Sequence, residues 1–405
     1  MGKLSKLVNS LQPSPIREML KAVSELKYKG IDVIQLSTGQ PSLPLDEEVI
    51  EFLISKLKED PLTVSSYTPT GGIKQLILKI IEDLKYFGKI EVEENEVVIT
   101  EGASEGLLLA SLALFDDEDE VIILEPSYVS YPNVVLIAGA KPIFLTQKME
   151  NGYQPDLEEL KSKITNKTKA IIFATPDNPT GRIINPQIAK GLIEIAKDHD
   201  LWIIVDEAYK HLIYEGEHIW FWRNEDARNR TICINTFSKD PAMTGFRLGY
   251  AFGPKEVISS MERIKQYTTL CSNTPAQIAA LKYLEPRIKE RVLKYTLDIY
   301  KRRRDALINS MLEFISEAKF VKPAGAMYLF ADFSKYLKNL NIDDKTFMMD
   351  LVNKKGVAVI NGSSFGPSGK NHIRITFVGE NENRINKGVI LINEYLKEGR
   401  KNDFK

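Results

Sequence analysis

The sequence predicts an α/β fold: a large domain built on a mainly parallel central sheet with helices on both faces, plus a smaller α+β domain. Three observations lead there. Short apolar runs alternate with longer amphipathic ones through the middle of the chain. Several runs, such as Ala-Ile-Ile-Phe-Ala at 170–174 and Trp-Ile-Ile-Val at 202–205, are wholly apolar, as strands buried on both faces must be. Beyond residue 314 the order of elements changes, which marks a second unit.

Taken in order, residues 96–100, 120–124, 170–174, 202–205, 231–235 and 248–251 read as strands. Residues 104–114 and 186–199 read as helices between them. Residues 275–314 read as helix interrupted near Pro286, and the part from 287 to 314 is long enough to bridge two domains. A strand at 326–332, a helix at 346–355, strands at 357–360 and 372–377, and a helix at 381–399 complete the smaller unit. There is no internal repeat and no low-complexity segment.

Composition removes several function classes. A chain of 405 residues exceeds one ordinary core. Hydrophobic content of 43% and charged content of 27% are those of a soluble globular protein. A net charge of −1 creates no strong field for nucleic acid or anionic lipid. Arg302-Arg303-Arg304, the densest basic run, reads as a solvated helix face. No stretch approaches the roughly 18 apolar residues of a membrane span. The two cysteines, Cys233 and Cys271, lie in apolar surroundings without metal-ligand spacing and read as reduced thiols of a cytoplasmic protein. The four histidines show no metal spacing. Gly366-Pro-Ser-Gly-Lys370 is a poor phosphate loop, because Ser364 stands where its first glycine belongs and Asn371 replaces Ser or Thr.

In open parallel sheets ligands bind beyond the carboxyl ends of the strands, so the informative residues follow the apolar runs. Lys239 follows the run 231–235 and can form an imine with an aldehyde cofactor. Thr236, Ser238 and Arg247 around it suit a phosphate. Aldehyde plus phosphate describes pyridoxal 5'-phosphate. Gly102, Ala103 and Ser104 open a helix after 96–100, where free backbone N–H groups favour the same phosphate. Tyr128, after 120–124, offers a face to a flat ring. Asn178, in the rigid Thr-Pro-Asp-Asn-Pro-Thr-Gly loop after 170–174, can donate to a phenolate oxygen, as can Tyr209. Asp206 ends a wholly apolar strand, a costly place for a carboxylate unless a cation such as a protonated pyridine nitrogen faces it. Each residue alone has an ordinary structural explanation; five strand ends with complementary groups do not.

These residues sit in motifs. Gly-Gln-Pro at 39–41, Tyr-Thr-Pro-Thr-Gly-Gly at 67–72, Asn-Pro-Thr-Gly at 178–181 and Asp-Glu-Ala-Tyr at 206–209 resemble those of the class I and II aminotransferases of the fold type I pyridoxal-phosphate superfamily. So do Ser-Lys with Met-Thr-Gly-Phe-Arg-Leu-Gly-Tyr at 238–250 and Ile-Arg-Ile-Thr-Phe at 373–377. The resemblance implies that Lys239 is the Schiff-base lysine, with Asp206 on the pyridine nitrogen and Asn178 and Tyr209 on the phenolate oxygen. Gly102, Ala103, Ser104, Thr236 and Arg247 would hold the phosphate, Tyr67 would reach it from a second subunit of a homodimer, and Tyr128 would stack on the ring. Arg374, with the Gly39 backbone and Asn178, would bind the substrate α-carboxylate.

The implied activity moves the amino group of an L-amino acid to a 2-oxo acid. The implied domains are an N-terminal segment (1–45) that packs with the small domain, a large cofactor-binding domain (46–290), and an interdomain helix with the small domain (291–405). The alternative is a lyase or cyclase of the aminocyclopropane-carboxylate synthase type, because Asp240 after the lysine resembles that branch. A fold kept for binding without turnover is a further alternative, against which the complete Lys, Asp, Tyr, Asn and Arg set argues. The side-chain pocket is expected near Ile16, Tyr67 and Met327, and Arg17 is read as structural.

Overall fold

The structure, a computed structural model, describes residues 3–11 and 14–401. Seven strands form the main sheet, in the spatial order Val97–Thr100, Gly249–Phe252, Thr231–Thr236, Trp202–Asp206, Thr168–Ala174, Glu120–Glu125 and Lys141–Thr146. Only Gly249–Phe252 runs antiparallel, to both of its neighbours. The others run the same way, so their carboxyl ends share one edge. In the central strands nearly every residue is buried. Helices such as Ala103–Leu114 and Pro186–Asp198 cover the faces and interleave with the sheet in the apolar clusters.

Local chemistry sets the helix limits. Pro186–Asp198 begins after Asn185, whose side chain accepts from the Ile188 N–H, and Pro186 occupies the first turn, where no N–H is needed. Its buried residues Ala189, Leu192, Ile193 and Ala196 recur at helical spacing and form one stripe. The expected break near Pro286 is present: Thr274–Tyr283 ends, and Pro286–Phe314 begins at that proline. This second helix has 29 residues, about 44 Å at 1.5 Å each. Ile288 near its start packs in the core beside the main sheet, and Leu307 and Met311 pack in the core of the C-terminal unit. The helix therefore connects the two cores.

The C-terminal unit holds an antiparallel sheet in the order Ile360–Asn361, His372–Thr376, Tyr328–Asp332 and Lys319–Phe320. The expected strand at 357–360 is divided: Val357–Ala358 pairs in parallel with Ile34–Gln35, and Ile360–Asn361 pairs with the strand that carries Arg374. The N-terminal chain thus joins the C-terminal unit through backbone hydrogen bonds. Met19, Val23 and Leu26 of the helix Pro15–Tyr28 pack in the same core. No described helix is long and apolar enough to cross a membrane.

Candidate active site

A cavity of about 1180 Å³ opens at the carboxyl edge of the main sheet, between it and the C-terminal unit. Ala103, Ser104, Tyr128, Asn178, Asp206, Tyr209, Thr236, Lys239, Arg247, Gly39 and Arg374 all line it. Register explains the convergence. Asp206 lies opposite Ala174 on one side and Ile234 on the other, and Gly249 lies opposite both Thr236 and Thr100. Asp206 and Thr236 at these ends line the cavity themselves, and Ala103, Asn178, Ala208 and Lys239 enter it from the segments that follow.

Lys239 Nζ donates to the Gly39 carbonyl at 3.1 Å and lies 5.4 Å from the centre of the Tyr209 ring. Thr236 Oγ1 lies 2.9 Å from Ser238 Oγ and accepts from the Ser238 N–H, and Arg247 Nη1 donates to Ser238 Oγ at 3.4 Å and to the Thr244 carbonyl. Gly102 caps the helix Ala103–Leu114 with φ +78°, and no side chain caps that helix start. A Cβ on Gly102 would lie 2.7 Å from Arg247 Nη2, so glycine is what permits the arginine to lie against the helix start.

Asp206 is buried. One oxygen accepts from the Ala208 N–H at 3.0 Å and the other from the Tyr131 hydroxyl at 2.9 Å. Burial, opposed by these hydrogen bonds and by the Lys239 charge, pushes its carboxyl up to about 6. Burial also raises the Tyr131 hydroxyl well above its ordinary value, and the Asp206 charge adds to this. Tyr131 therefore stays protonated and donates. The sequence reading did not single out Tyr131. Its signal was the spacing from Tyr128: three residues on a helical turn place both rings at the site, 5.7 Å apart edge to face.

Arg374 is fully buried without a carboxylate partner among the described residues. Nη1 donates to Asn178 Oδ1 at 3.1 Å and Nη2 to the Ser37 carbonyl, while Nε has no partner. Its guanidinium lies over Tyr328, 4.3 Å from the ring centre, and against Phe365 at 4.9 Å. Burial holds it below the usual arginine range. Tyr328 also escaped the sequence reading. Its hydroxyl lies 2.9 Å from that of Tyr209, and a Cβ on Gly39 would lie 1.8 Å from it, so only glycine fits at position 39.

Other expectations fare differently. Tyr67 is 84% exposed and does not line the cavity of its own chain. Ile16 lines it, but Met327 does not: it is fully buried in the C-terminal core, where its carbonyl accepts from Thr376 and Phe377. Arg17, read as structural, lines the cavity with an exposed side chain. Asp240 faces away from the cavity. Its carboxylate accepts from the Tyr283 hydroxyl at 2.8 Å beside a separate buried space of about 20 Å³ that Lys210 and Lys289 also line.

The family model described as aminotransferase class I and II matches residues 31–389. The chain belongs to that family. A probable aspartate/prephenate aminotransferase of Thermus aquaticus is 34% identical over 384 residues, covering 95% of this chain and 97% of the relative. Aspartate aminotransferase from Thermus thermophilus with maleate superposes with a TM-score of 0.91 at 32% identity, over 97% of this chain and 100% of the other. A Methanococcus jannaschii structure, described as similar in its active site to kynurenine aminotransferases, gives 0.86 at 32% identity, over 97% and 99%. The chain is a transaminase with the fold of these enzymes, in a family that uses pyridoxal 5'-phosphate. Neither family nor relatives favour the aminocyclopropane-carboxylate synthase alternative.

Proposed function

We propose that this aminotransferase works through Lys239, Asp206 and Arg374, with pyridoxal 5'-phosphate held between them. One observation carries the reading. Three cations, Lys239, Arg247 and Arg374, border one cavity without an ion-pair partner among the described residues, and the buried carboxylate of Asp206 faces the same space. That set fits an aldehyde, a phosphate, a substrate carboxylate and a cationic ring nitrogen in turn. The glycine-permitted contact of Arg247 with the start of Ala103–Leu114 supports a phosphate at Gly102, Ala103, Ser104, Thr236 and Arg247. Tyr128 supplies the stacking face, and Asn178 and Tyr209 supply donors for the phenolate oxygen.

When bound, the cofactor supplies the electron sink for labilising the substrate Cα–H bond. The chain supplies the rest. Asp206, held by the Tyr131 hydroxyl and the Ala208 N–H, would offer its negative charge to a cationic ring nitrogen. Arg374, with Asn178 and the Gly39 backbone, holds the α-carboxylate and so orients Cα–H toward Lys239. Lys239 Nζ takes the Cα proton and later returns it, a general acid–base step.

The substrates are an amino acid and a 2-oxo acid. Ile16, Val129 and Phe144 make part of the wall apolar, and Arg17 and Lys345 add charge. This favours several donors, with aromatic or aliphatic ones and glutamate among them, because an apolar pocket separates substrates by only about 1–3 kcal/mol per methylene. A charge-assisted bidentate contact is worth roughly 1.5–3 kcal/mol. Arg374→Lys is therefore expected to raise KM for every amino acid and oxo acid roughly tenfold or more while leaving cofactor affinity nearly unchanged. Steady-state kinetics across donors check this; a loss confined to one substrate would contradict the common carboxylate role.

We also infer a cytoplasmic homodimer with shared sites, and the division into residues 1–45, 46–290 and 291–405 given by the sequence. Leu62, Tyr67 and Tyr267 are exposed at 76%, 84% and 86%, and Thr274 Oγ1 donates to the Ser66 carbonyl, which ties the segment of Leu62 and Tyr67 to the helix Thr274–Tyr283; exposed apolar side chains of this kind suit a second copy. Mixing inactive Lys239→Ala protein with an impaired Tyr67→Ala protein is expected to restore activity on subunit exchange. One site of the hybrid then carries both defects and the other neither. A fully active monomer in sedimentation would refute the shared site.

A further inference from the structure

Glu125 is the last residue of the strand Glu120–Glu125 and is fully buried. A carboxylate there needs compensation, since an unpaired buried charge is costly. Three hydroxyl or amide donors provide it. Thr146 Oγ1, opposite it on the neighbouring strand, donates to Oε1 at 2.7 Å. Ser368 donates to Oε2 twice, from Oγ at 2.6 Å and from its N–H at 3.1 Å. Two of the three donors thus belong to the C-terminal unit, 243 residues further along the chain. The same turn is held again close by: the Ser127 N–H donates to the Phe365 carbonyl at 2.7 Å. Gly366 between them has φ +126°, and a Cβ on it would lie 2.5 Å from Glu125 Oε2. The turn is pressed onto the carboxylate as closely as a glycine allows.

What the turn carries is Phe365, whose ring lies against the Arg374 guanidinium and edge to face with Phe330. Ser127 and Tyr128 on one side, and Phe365, Gly366 and Pro367 on the other, are adjoining parts of the cavity wall. We propose that Glu125 is a positioning residue for substrate binding: by holding the 365–368 turn on the sheet edge, it fixes Phe365 and through it the carboxylate fork of Arg374 relative to the residues at the strand ends. This rests on the reading of Arg374 as the α-carboxylate ligand. Glu125 does not line the cavity and touches neither reactant. Its effect must therefore appear as weaker binding of carboxylates with the proton-transfer groups intact.

The test compares Glu125→Gln, Ser368→Ala, the double variant and Arg374→Lys in the loaded enzyme. KM is measured for an amino acid and an oxo acid. Succinate and 3-phenylpropionate, carboxylates without an amino group, are titrated by cofactor absorption. KM and both dissociation constants are expected to rise about three- to tenfold in Glu125→Gln and in Ser368→Ala, as for loss of a charge-assisted contact, with kcat within about twofold of the parent. The double variant should be little worse than either single one, because both remove the same link. Lower thermal stability with unchanged KM and dissociation constants would overturn the proposal and leave the contact purely structural; so would a loss of cofactor affinity without a rise in KM. If Arg374→Lys raises KM while Glu125→Gln and Ser368→Ala do not, the positioning role alone is wrong. If Arg374→Lys changes nothing, the carboxylate reading falls and this inference with it. Should Glu125→Gln fail to fold, Ser368→Ala, which deletes one hydroxyl, decides.

Discussion

Lys239→Ala is expected to lose multiple turnover by at least roughly 10²–10⁴-fold, the range attached to a positioned acid–base group. The loss should exceed this range, because the same amine also serves as covalent anchor. Loaded protein treated with borohydride should carry the cofactor mass on the peptide that contains Lys239, and the variant should carry none there. The geometry behind the expectation is specific. Nζ donates to the Gly39 carbonyl and lies above Tyr209, free of any carboxylate within ion-pair distance among the described residues, at the edge where Asp206 also points. A lysine tied into a salt bridge would be a structural cation; this one is not tied. An adduct on another lysine, or normal turnover in the variant, would sink the assignment.

The strand-end residues were legible in the sequence for a physical reason. Strands buried on both faces must be apolar throughout, so Ile203–Ile204–Val205 and Ile232–Cys233–Ile234 stand out, and any polar residue that ends them is conspicuous. Asp206 and Lys239 were visible that way. The edge strand Lys141–Thr146 was not: it contains Pro142 and is only partly buried, so it shows neither a continuous apolar run nor clean alternation. The apolar stretch 357–360 gave no sign of its division between two sheets, since the pairing of Val357 with Ile34, far back in the chain, is not written in it. Met327 was misplaced because its neighbour Tyr328 turns toward the cavity, and consecutive residues at a strand start face opposite ways. Tyr131 was signalled only by its spacing from Tyr128, and Glu125, which lies behind the cavity wall, has no motif of its own.

The role proposed for Asp206 carries a cost in stability. Its carboxyl stands at about 6 in the folded chain, against an ordinary value of 3.8. A group raised in this way binds its proton more readily folded than unfolded. Between those two values folding takes up a proton, so stability falls as pH rises, and the full cost remains above pH 6. The rise from 3.8 to about 6 corresponds to roughly 3 kcal/mol. In cofactor-free protein, Asp206→Asn removes the ionisable group while its amide oxygen can still accept from the Ala208 N–H and its amide N–H can donate to the Tyr131 hydroxyl oxygen. The variant is therefore expected to gain stability over the parent as pH rises from about 4 to 6, and to keep a constant advantage from there to pH 8. Denaturant midpoints measured at equal protein concentration across that range check this. In the loaded enzyme the same change should lower turnover by roughly 10²–10³-fold, the magnitude seen when one preorganised electrostatic contact is lost. A cationic ring nitrogen opposite Asp206 would reverse the burial cost, so cofactor should stabilise the parent more than the variant above pH 6. Parallel stability curves for the two cofactor-free proteins would show that Asp206 is not strained by burial. Undiminished turnover in the variant would remove it from the reaction.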